Sequence, residues 1–341
     1  MLIKKGILFP VLGLTIFLVY LYFFVGIREL VEALQKTHPV YYSLAFMSLL
    51  LGATFYSLAW QHILGLLQIK SALHKTFSFV WIASFIDLVI PAESFSGELS
   101  KVYLMSKNSG EDMGKVAASV VSHRILTTAT ALIGTITALT ILFLEYQTSQ
   151  LVVYIMLLVT AISTTSLSLM CCLSLRPRIT MKITTWIVRF LSFISRGHWE
   201  LTHLKTEMEK ALTTFHRGMR LLIEKPKNLV VPFLYSVIAF LFDLSISFLV
   251  LFSLGFPVSL SVVLIVYTIV DAVQAIPLGL PGEVGITDVA MATFYSLLGV
   301  PLGISASATI LTRIITVWVK ILGGYVAAQW TGITIQRGVG R

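Results

Sequence analysis

Long apolar runs separated by short polar segments fill most of this chain. About 20 apolar residues in a helix cross the hydrocarbon core of a bilayer, where the backbone groups must find hydrogen-bond partners within the chain. Six runs reach that length, namely residues 7–27, 41–67, 116–144, 151–175, 229–254 and 304–330. The pattern therefore predicts an all-α polytopic membrane protein in which residues 1–341 form a single transmembrane domain with six full spans.

Two further apolar regions, residues 77–107 and 260–300, are interrupted by proline. Pro91 breaks the first region, and Pro277 and Pro281 break the second. Proline lacks a backbone N–H and clashes with the preceding helical turn, so each region is predicted to form two short helical legs around an irregular tip. The legs either cross the membrane fully or enter and return on one side. In both cases the chain leaves on the side where it entered.

The distribution of lysine and arginine assigns the two sides of the membrane. Basic residues collect in alternate connecting segments, above all in the linker 176–228, and the region 260–300 contains none. The positive-inside rule then places both termini in the cytoplasm. The broken region 77–107 opens from the inside and the region 260–300 opens from the outside, so the two are expected to point in opposite directions.

The two proline-led segments resemble each other. PAESFSGE (91–98) and PGEVGITD (281–288) match at proline and at two acids when they are aligned 190 positions apart. An arginine follows within the next apolar span, 26 residues after Glu98 and 25 residues after Asp288. These matches predict repeat 1 at 41–144 and an inverted repeat 2 at 229–330. Opposed repeats with broken helices are typical of transporters, whose binding site lies near the midplane.

Charged side chains inside a membrane are costly unless they face a cavity or pair with one another. We therefore expect Glu98 and Asp288 to face Arg124 and Arg313 around a central cavity, in pairings that the sequence leaves open. The arginine fork matches a phosphate, helix N-termini at the breaks supply N–H groups, and carboxylates can hold a cationic group or protons. A charge network that only locks the helices together is the alternative.

Other polar residues extend this candidate site. The substrate-binding set that we predict is Glu98, Arg124, Asp288, Arg313, Glu93, Glu283, Lys101, Asp87, Asp271 and His123. Lys101 lies three positions after Glu98 on the same helix face and is expected to pair with it. Asp87, Asp271 and Asp243 either line the cavity or bond a neighbouring helix.

The remaining polar residues of the apolar regions carry weaker signals. His123 either relays protons or packs as a hydrogen-bonded histidine. Ser94 and Ser96 are candidate N-caps of the first broken leg, and Lys320 is expected to extend to the interface.

Composition narrows the functional classes. Hydrophobic residues make up 57% of the chain and charged residues 12%, with a formal net charge of +9. The basic residues lie in loops without a nucleic-acid-binding motif, so anionic lipid headgroups at the basic amphipathic linker 176–228 are the expected partner rather than nucleic acid. Cys171 and Cys172 are adjacent and offer neither a disulfide framework nor metal-ligand spacing. We expect no cofactor and no metal.

Motifs for catalysis are absent from the sequence. It has no His-Glu-x-x-His motif, no Gly-x-Ser-x-Gly elbow and no Walker lysine motif, so we expect a protein that is not an enzyme and is not driven by its own ATP hydrolysis. An intramembrane lipid-modifying enzyme, a proton-coupled carrier of small solutes or ions, and a scaffold remain as alternatives. Both a monomer and a homo-oligomer remain open.

The motifs PAESFSGELSK, SHR at 122–124, IPLGLPGEVGITD at 276–288 and TR at 312–313 resemble one family over residues 10–330. It is the family of the transmembrane region of lysylphosphatidylglycerol synthases, the multiple peptide resistance factors, with their stand-alone flippase-like relatives. In this chain Ser96 replaces a glycine of the family pattern, Lys101 stands where arginine is common, and Asp288 replaces a glutamate.

The resemblance implies a lipid-flipping domain with inverted repeats and broken helices. It does not imply lipid synthesis, because that activity belongs to a separate soluble domain and the chain ends just after its last span. The expected function is transport of an amphiphile with a phosphate-containing headgroup, an aminoacyl phospholipid or a lipid-linked sugar, across the cell membrane. The expected substrate partner is thus a membrane phospholipid or a lipid-linked molecule.

Overall fold

A computed structural model describes residues 32, 35, 37–90, 95–145, 150–194, 201–274, 282 and 285–332, with the side chains at 145, 187–194 and 201–205 excepted. These residues form helices and no strand. The α-helices are α1 (Pro39–Leu66), α2 (Leu73–Val89), α3 (Phe95–Ser109), α4 (Met113–Glu145), α5 (Gln150–Leu175), α6 (Pro177–Ile194), α7 (Leu201–Glu224), α8 (Val230–Ser253), α9 (Leu260–Gln274), α10 (Ile286–Leu297), α11 (Leu302–Arg313) and α12 (Lys320–Trp330). A 3-10 turn (Pro226–Leu229) precedes α8, and a π-helical segment (Ile314–Val319) joins α11 to α12. The predicted all-α class is confirmed.

Within the described ranges, five helices are long and apolar enough to cross a membrane. They are Pro39–Leu66, Met113–Leu144, Gln150–Leu175, Pro226–Ser253 and Leu302–Trp330. These five coincide with five of the six predicted spans, and the remaining predicted span, residues 7–27, lies outside the described residues. The protein is therefore an all-α membrane protein that passes through the bilayer several times.

Both proline-containing regions consist of two short helices. In the first, α2 ends at Val89 and α3 begins at Phe95, and in the second, α9 ends at Gln274 and α10 begins at Ile286. Pro91, Pro277 and Pro281 lie outside the described residues. The predicted legs are present in each region, and they have 17, 15, 15 and 12 residues in chain order.

The helix contacts have the same pattern in both predicted repeats. Within the repeats, α2 packs on α3 and α9 packs on α10. Between them, α1 packs along α8, α2 packs on α12, and α9 packs on α4. Exchanging the two halves leaves these pairings unchanged, which is the result that a two-fold relation would give. The repeats and their opposed orientation stay predictions.

The polar linker folds into two helices that contact the membrane-spanning bundle. α7 packs along the first turns of α4, where the Ser122 hydroxyl donates to the Met219 sulfur at 3.2 Å. The His216 ring nitrogen Nδ1 lies 3.0 Å from the Ser174 carbonyl oxygen of α5. The linker is thus tied to α4, the helix that carries Arg124.

The legs α2 and α3 approach closely at Gly97. A Cβ atom on Gly97 would lie 2.0 Å from a carboxylate oxygen of Asp87 and 2.7 Å from the carbonyl oxygen of Ala83. Only glycine leaves room for this approach, so the geometry of the first broken region depends on the missing side chain.

We predict that Gly97→Ala destabilises the protein by about 1–3 kcal/mol, because the added methyl group must push α2 away from α3. Gly65→Ala is the matched control, since a Cβ on Gly65 of α1 meets no heavy atom within 4 Å. Thermal unfolding in detergent micelles measures both. Equal melting temperatures for the two variants would contradict the close approach.

Candidate functional site

A cavity of about 430 Å³ lies between the helices of the two broken regions and the long spans around them. Among the described residues its charged lining comprises Asp87, Glu98, Asp243, Asp271, Lys101, Arg124, Arg313 and Lys320. These are four acids and four bases, so their formal charges cancel (4 − 4 = 0). They come from seven helices, which makes the cavity the meeting point of the fold's membrane-embedded charges.

Asp87 joins the two legs of the first broken region. One carboxylate oxygen of Asp87 accepts a hydrogen bond from the Ser96 hydroxyl at 2.8 Å and another from the Gly97 N–H at 2.6 Å. The first N–H groups of a helix have no partner within the helix and carry partial positive charge, so a carboxylate from α2 stabilises the start of α3.

The predicted capping role of Ser96 is wrong. Ser96 is the second residue of α3, and its hydroxyl donates to Asp87 instead of accepting an N–H from its own helix. The physical reason is that the neighbouring helix supplies a charged acceptor, which is stronger than a hydroxyl. Ser94 lies outside the described residues.

Glu98 and Lys101 form an ion pair on α3, with 2.9 Å between the Lys101 ammonium and a Glu98 oxygen. The expectation from their three-residue spacing is confirmed. Lys101 is only 3% exposed, and its ammonium also lies 5.5 Å from the ring centre of Tyr56 and 5.6 Å from that of Trp60. The carboxylate and two aromatic faces together compensate this buried charge.

Asp288 and Arg313 hold the second broken region together. The Arg313 Nε lies 3.0 Å from one Asp288 oxygen, and the other Asp288 oxygen accepts the Gly285 N–H at 2.7 Å. A second guanidinium nitrogen of Arg313 donates to the Gly282 carbonyl oxygen. Gly282 and Gly285 have φ of 61° and 96°, a conformation that favours glycine. One arginine thus fixes both the start of α10 and the backbone before it.

The structure places the remaining members of the predicted set unevenly. Asp288 is 3% exposed and lies behind Arg313, outside the cavity lining. His123 is fully buried and also outside the lining, with its ring centre 4.3 Å from that of Tyr56. Glu93 and Glu283 lie outside the described residues. Of the pairings between acids and arginines that the sequence left open, the described residues form Asp288 with Arg313, and Glu98 pairs with Lys101 instead of an arginine.

Four cavity residues lack a direct partner. Throughout the described part, the side chains of Arg124, Lys320, Asp243 and Asp271 make no hydrogen bond and no ion pair within 4.0 Å, although all four line the cavity. Their helices are α4, α12, α8 and α9. Two positive and two negative groups therefore share the cavity without direct contact.

The expectation that Lys320 extends to the interface is wrong, because Lys320 lines the cavity. Lys320 directly follows the π-helical segment and shares the cavity lining with Thr312 and Thr316. Residues four apart lie on the same face of a helix. The signal that was available is the spacing of three polar residues at intervals of four in an apolar span.

We predict that Asp288→Ala and Arg313→Ala each destabilise the protein by roughly 3–5 kcal/mol, because each leaves a buried charge without its partner. The double variant should lose less than the sum of the two single variants, since only one pair is broken. Chemical unfolding in detergent micelles gives the three values.

The pair Glu111 and Lys115 is the matched control. Its atoms also lie 2.9 Å apart, but the side chains are 32% and 24% exposed. We expect Lys115→Ala to cost about 0–1 kcal/mol. Strict additivity in the Asp288 and Arg313 cycle would show that the two residues do not act as a unit.

The chain is similar to several known membrane proteins. A UPF0104 membrane protein of Methanothermobacter thermautotrophicus is 24% identical over 331 residues, with 97% of each chain covered. A second UPF0104 membrane protein, from Methanocaldococcus jannaschii, is 24% identical over 318 residues and covers 92% of this chain and 91% of its own. A third, from Pyrococcus horikoshii, is 25% identical over 246 residues, which cover 69% of this chain and 70% of its own.

The family profile described as lysylphosphatidylglycerol synthase TM region matches residues 11–324. The match includes both broken regions and every charged residue of the cavity lining. The resemblance that the sequence motifs indicated is therefore confirmed, and the chain belongs to the lysylphosphatidylglycerol synthase TM region family.

Proposed function

We propose that the protein is a flippase-like transporter that moves an amphiphile with a phosphate-containing headgroup across the bilayer. The observation that carries the proposal is the Arg124 guanidinium, which lines a polar cavity in a membrane domain and has no direct partner among the described residues. A guanidinium presents a fork of donors that matches two phosphate oxygens. A phosphate at Arg124 would compensate a charge that the described residues leave without a direct partner.

The cavity dimensions support binding of a headgroup. Its volume of about 430 Å³ falls within the range of small-molecule sites, and whole acyl chains would stay in the surrounding lipid. Residues from both broken regions contribute to the lining, as expected for a transporter that works by moving one half against the other. The proposed substrates are an aminoacyl phospholipid or a lipid-linked sugar, and the proposed location is the cell membrane.

A carrier of small solutes is the second candidate, because the same cavity has room for a phosphorylated solute without acyl chains. We assign no catalytic residue, no cofactor and no metal to this function. The experiments therefore measure transport and not a chemical reaction.

We predict that Arg124→Ala slows transbilayer movement of a fluorescent phospholipid in proteoliposomes roughly 10- to 100-fold, the loss expected for one charge-assisted hydrogen-bonding group. Arg124→Lys keeps the charge but loses the fork, so its rate should lie between those of the wild type and Arg124→Ala. The readout is the fraction of label that a membrane-impermeant quencher reaches over time.

The control is Lys107→Ala, which removes an exposed base at the end of α3, away from the cavity. It should move lipid at the wild-type rate. Wild-type rates in folded Arg124→Ala would refute the role of the cavity in lipid movement. Uptake of radiolabelled glycerol phosphate, without any lipid movement, would establish the small-solute candidate instead.

We also propose that the helices α6 and α7 lie against anionic lipid headgroups. Exposed bases and exposed apolar side chains share these helices, as expected for a helix in the interface. The bases are Arg178, Lys182, Arg217 and Arg220, and the apolar residues are Ile183, Trp186, Leu221 and Ile223.

We expect brominated phosphatidylglycerol to quench Trp186 more strongly than brominated phosphatidylcholine does. The double variant Arg178→Gln with Lys182→Gln should lose most of this preference, since each base near an anionic surface contributes about 1 kcal/mol. The difference in fluorescence between each protein and its Trp186→Phe derivative isolates the signal. An unchanged preference in the double variant would exclude a role of these bases in headgroup attraction.

A further inference from the structure

We infer that Asp243 and Asp271, together with Lys320, form a proton-binding site that couples headgroup transport to a proton gradient. The inference rests on the proposed function and adds an energy source to it. The protons would travel in the same direction as an anionic phosphate headgroup bound at Arg124.

The four cavity residues that have no direct partner in the described part share one lining, with Arg124 on α4, Asp243 on α8, Asp271 on α9 and Lys320 on α12. Each acid lies within the field of a base, since Lys320 acts on Asp243 and Arg124 acts on Asp271. Asp271 is more exposed than Asp243, which is partly buried.

The other acids at the cavity are committed to structural contacts. Asp87 accepts two hydrogen bonds at the start of α3, Glu98 pairs with Lys101, and Asp288 bonds Arg313 and the Gly285 N–H. Protonating any of them would remove a contact that holds the helices. Asp243 and Asp271 have no such contact in the described part, so they are the acids that can change charge without loosening the fold.

A buried hydroxyl provides independent evidence for a ligand in this cavity. Thr312 is 5% exposed and lines the cavity, yet its hydroxyl oxygen has no hydrogen-bond partner among the described residues. A buried polar group without a partner costs about 1–3 kcal/mol. A ligand or water that enters the cavity would supply the partner. Thr312 and Lys320 line the same cavity.

Charge balance links the proton to the headgroup. With both acids ionised, these four groups contain two negative and two positive charges. One proton on Asp243 or Asp271 raises the charge of the cavity by one unit, which a singly charged phosphodiester at Arg124 offsets. Proton and phosphate therefore each favour binding of the other, and this coupling is reciprocal.

Groups from every neighbouring helix contribute to the environment of the two acids. Besides Lys320 and Arg124, the titratable groups of the described lining are Tyr56 of α1, Asp87 of α2, Glu98 and Lys101 of α3, Tyr267 of α9, Tyr295 of α10 and Arg313 of α11. Arg313 and Asp87 are held by their own partners, so Lys320 and Arg124 are the bases that respond to the charge of the pair.

The test uses the full chain in proteoliposomes that contain a fluorescent anionic phospholipid, with and without a pH gradient. The wild type should move lipid several-fold faster in the direction of proton flow. Asp243→Asn and Asp271→Asn mimic the protonated state, so in each variant the ratio of the rates with and without the gradient should fall to about one, whatever the absolute rate. Lys320→Gln removes a nearby positive charge and should move the half-maximal pH of transport upward by roughly one pH unit.

Glu224→Gln, an exposed acid at the end of α7, is the control and should respond to the gradient as the wild type does. Lipid movement that is equally fast with and without the gradient in the wild type would overturn proton coupling and leave the proposed function intact. Absence of any lipid movement in the wild type would instead remove the proposed function.

A second readout does not depend on the variants' folding. A pH-sensitive dye trapped in the lumen should report proton entry when a gradient of the anionic lipid alone drives the wild type. Lipid movement without proton entry would refute the inference.

Discussion

The structure depends on one constraint, namely that a charge inside a bilayer must be compensated by the protein itself. Water does not reach the hydrocarbon core, and an isolated ion there is costly. Among the described residues, the fold meets this constraint with direct ion pairs and with one cavity that eight charged side chains line. Asp288 and Arg313 compensate each other directly, and Lys101 has both Glu98 and two aromatic rings. Arg124, Lys320, Asp243 and Asp271 line the cavity without contacting one another directly.

The same constraint explains why the acids lie at the helix breaks. A helix that begins inside the membrane has N–H groups without partners and a partial positive charge at its start. Asp87 satisfies this need for α3, and Asp288 satisfies it for α10. Asp87 belongs to α2, the leg before the break, whereas Asp288 belongs to α10, the helix whose start it binds. Each break therefore requires its acid for structural reasons, before any substrate is considered.

The sequence predicted the features that arise from local physics. Hydropathy located five spans, proline located the two breaks, and a three-residue spacing paired Lys101 with Glu98. The sequence did not predict the contacts between distant segments, because the choice of partner depends on how the helices pack. The role of Ser96 was wrong because Asp87 of another helix supplies a stronger acceptor. The prediction for Lys320 was wrong because its helix face, which Thr312 and Thr316 share, lines the cavity, and the cavity forms only when distant helices pack together.

One difference between the two predicted repeats accounts for the unpaired arginine. Under the 190-residue offset, Lys101 corresponds to Met291 (101 + 190 = 291), and both line the cavity. In repeat 2 the methionine cannot compete for Asp288, so Arg313 takes that acid and becomes a structural residue. In repeat 1 the lysine takes Glu98, and Arg124 is left without a direct partner in the described part. The two arginines of the predicted repeats thereby differ: Arg313 holds the fold, and Arg124 is the one that we propose binds an anion.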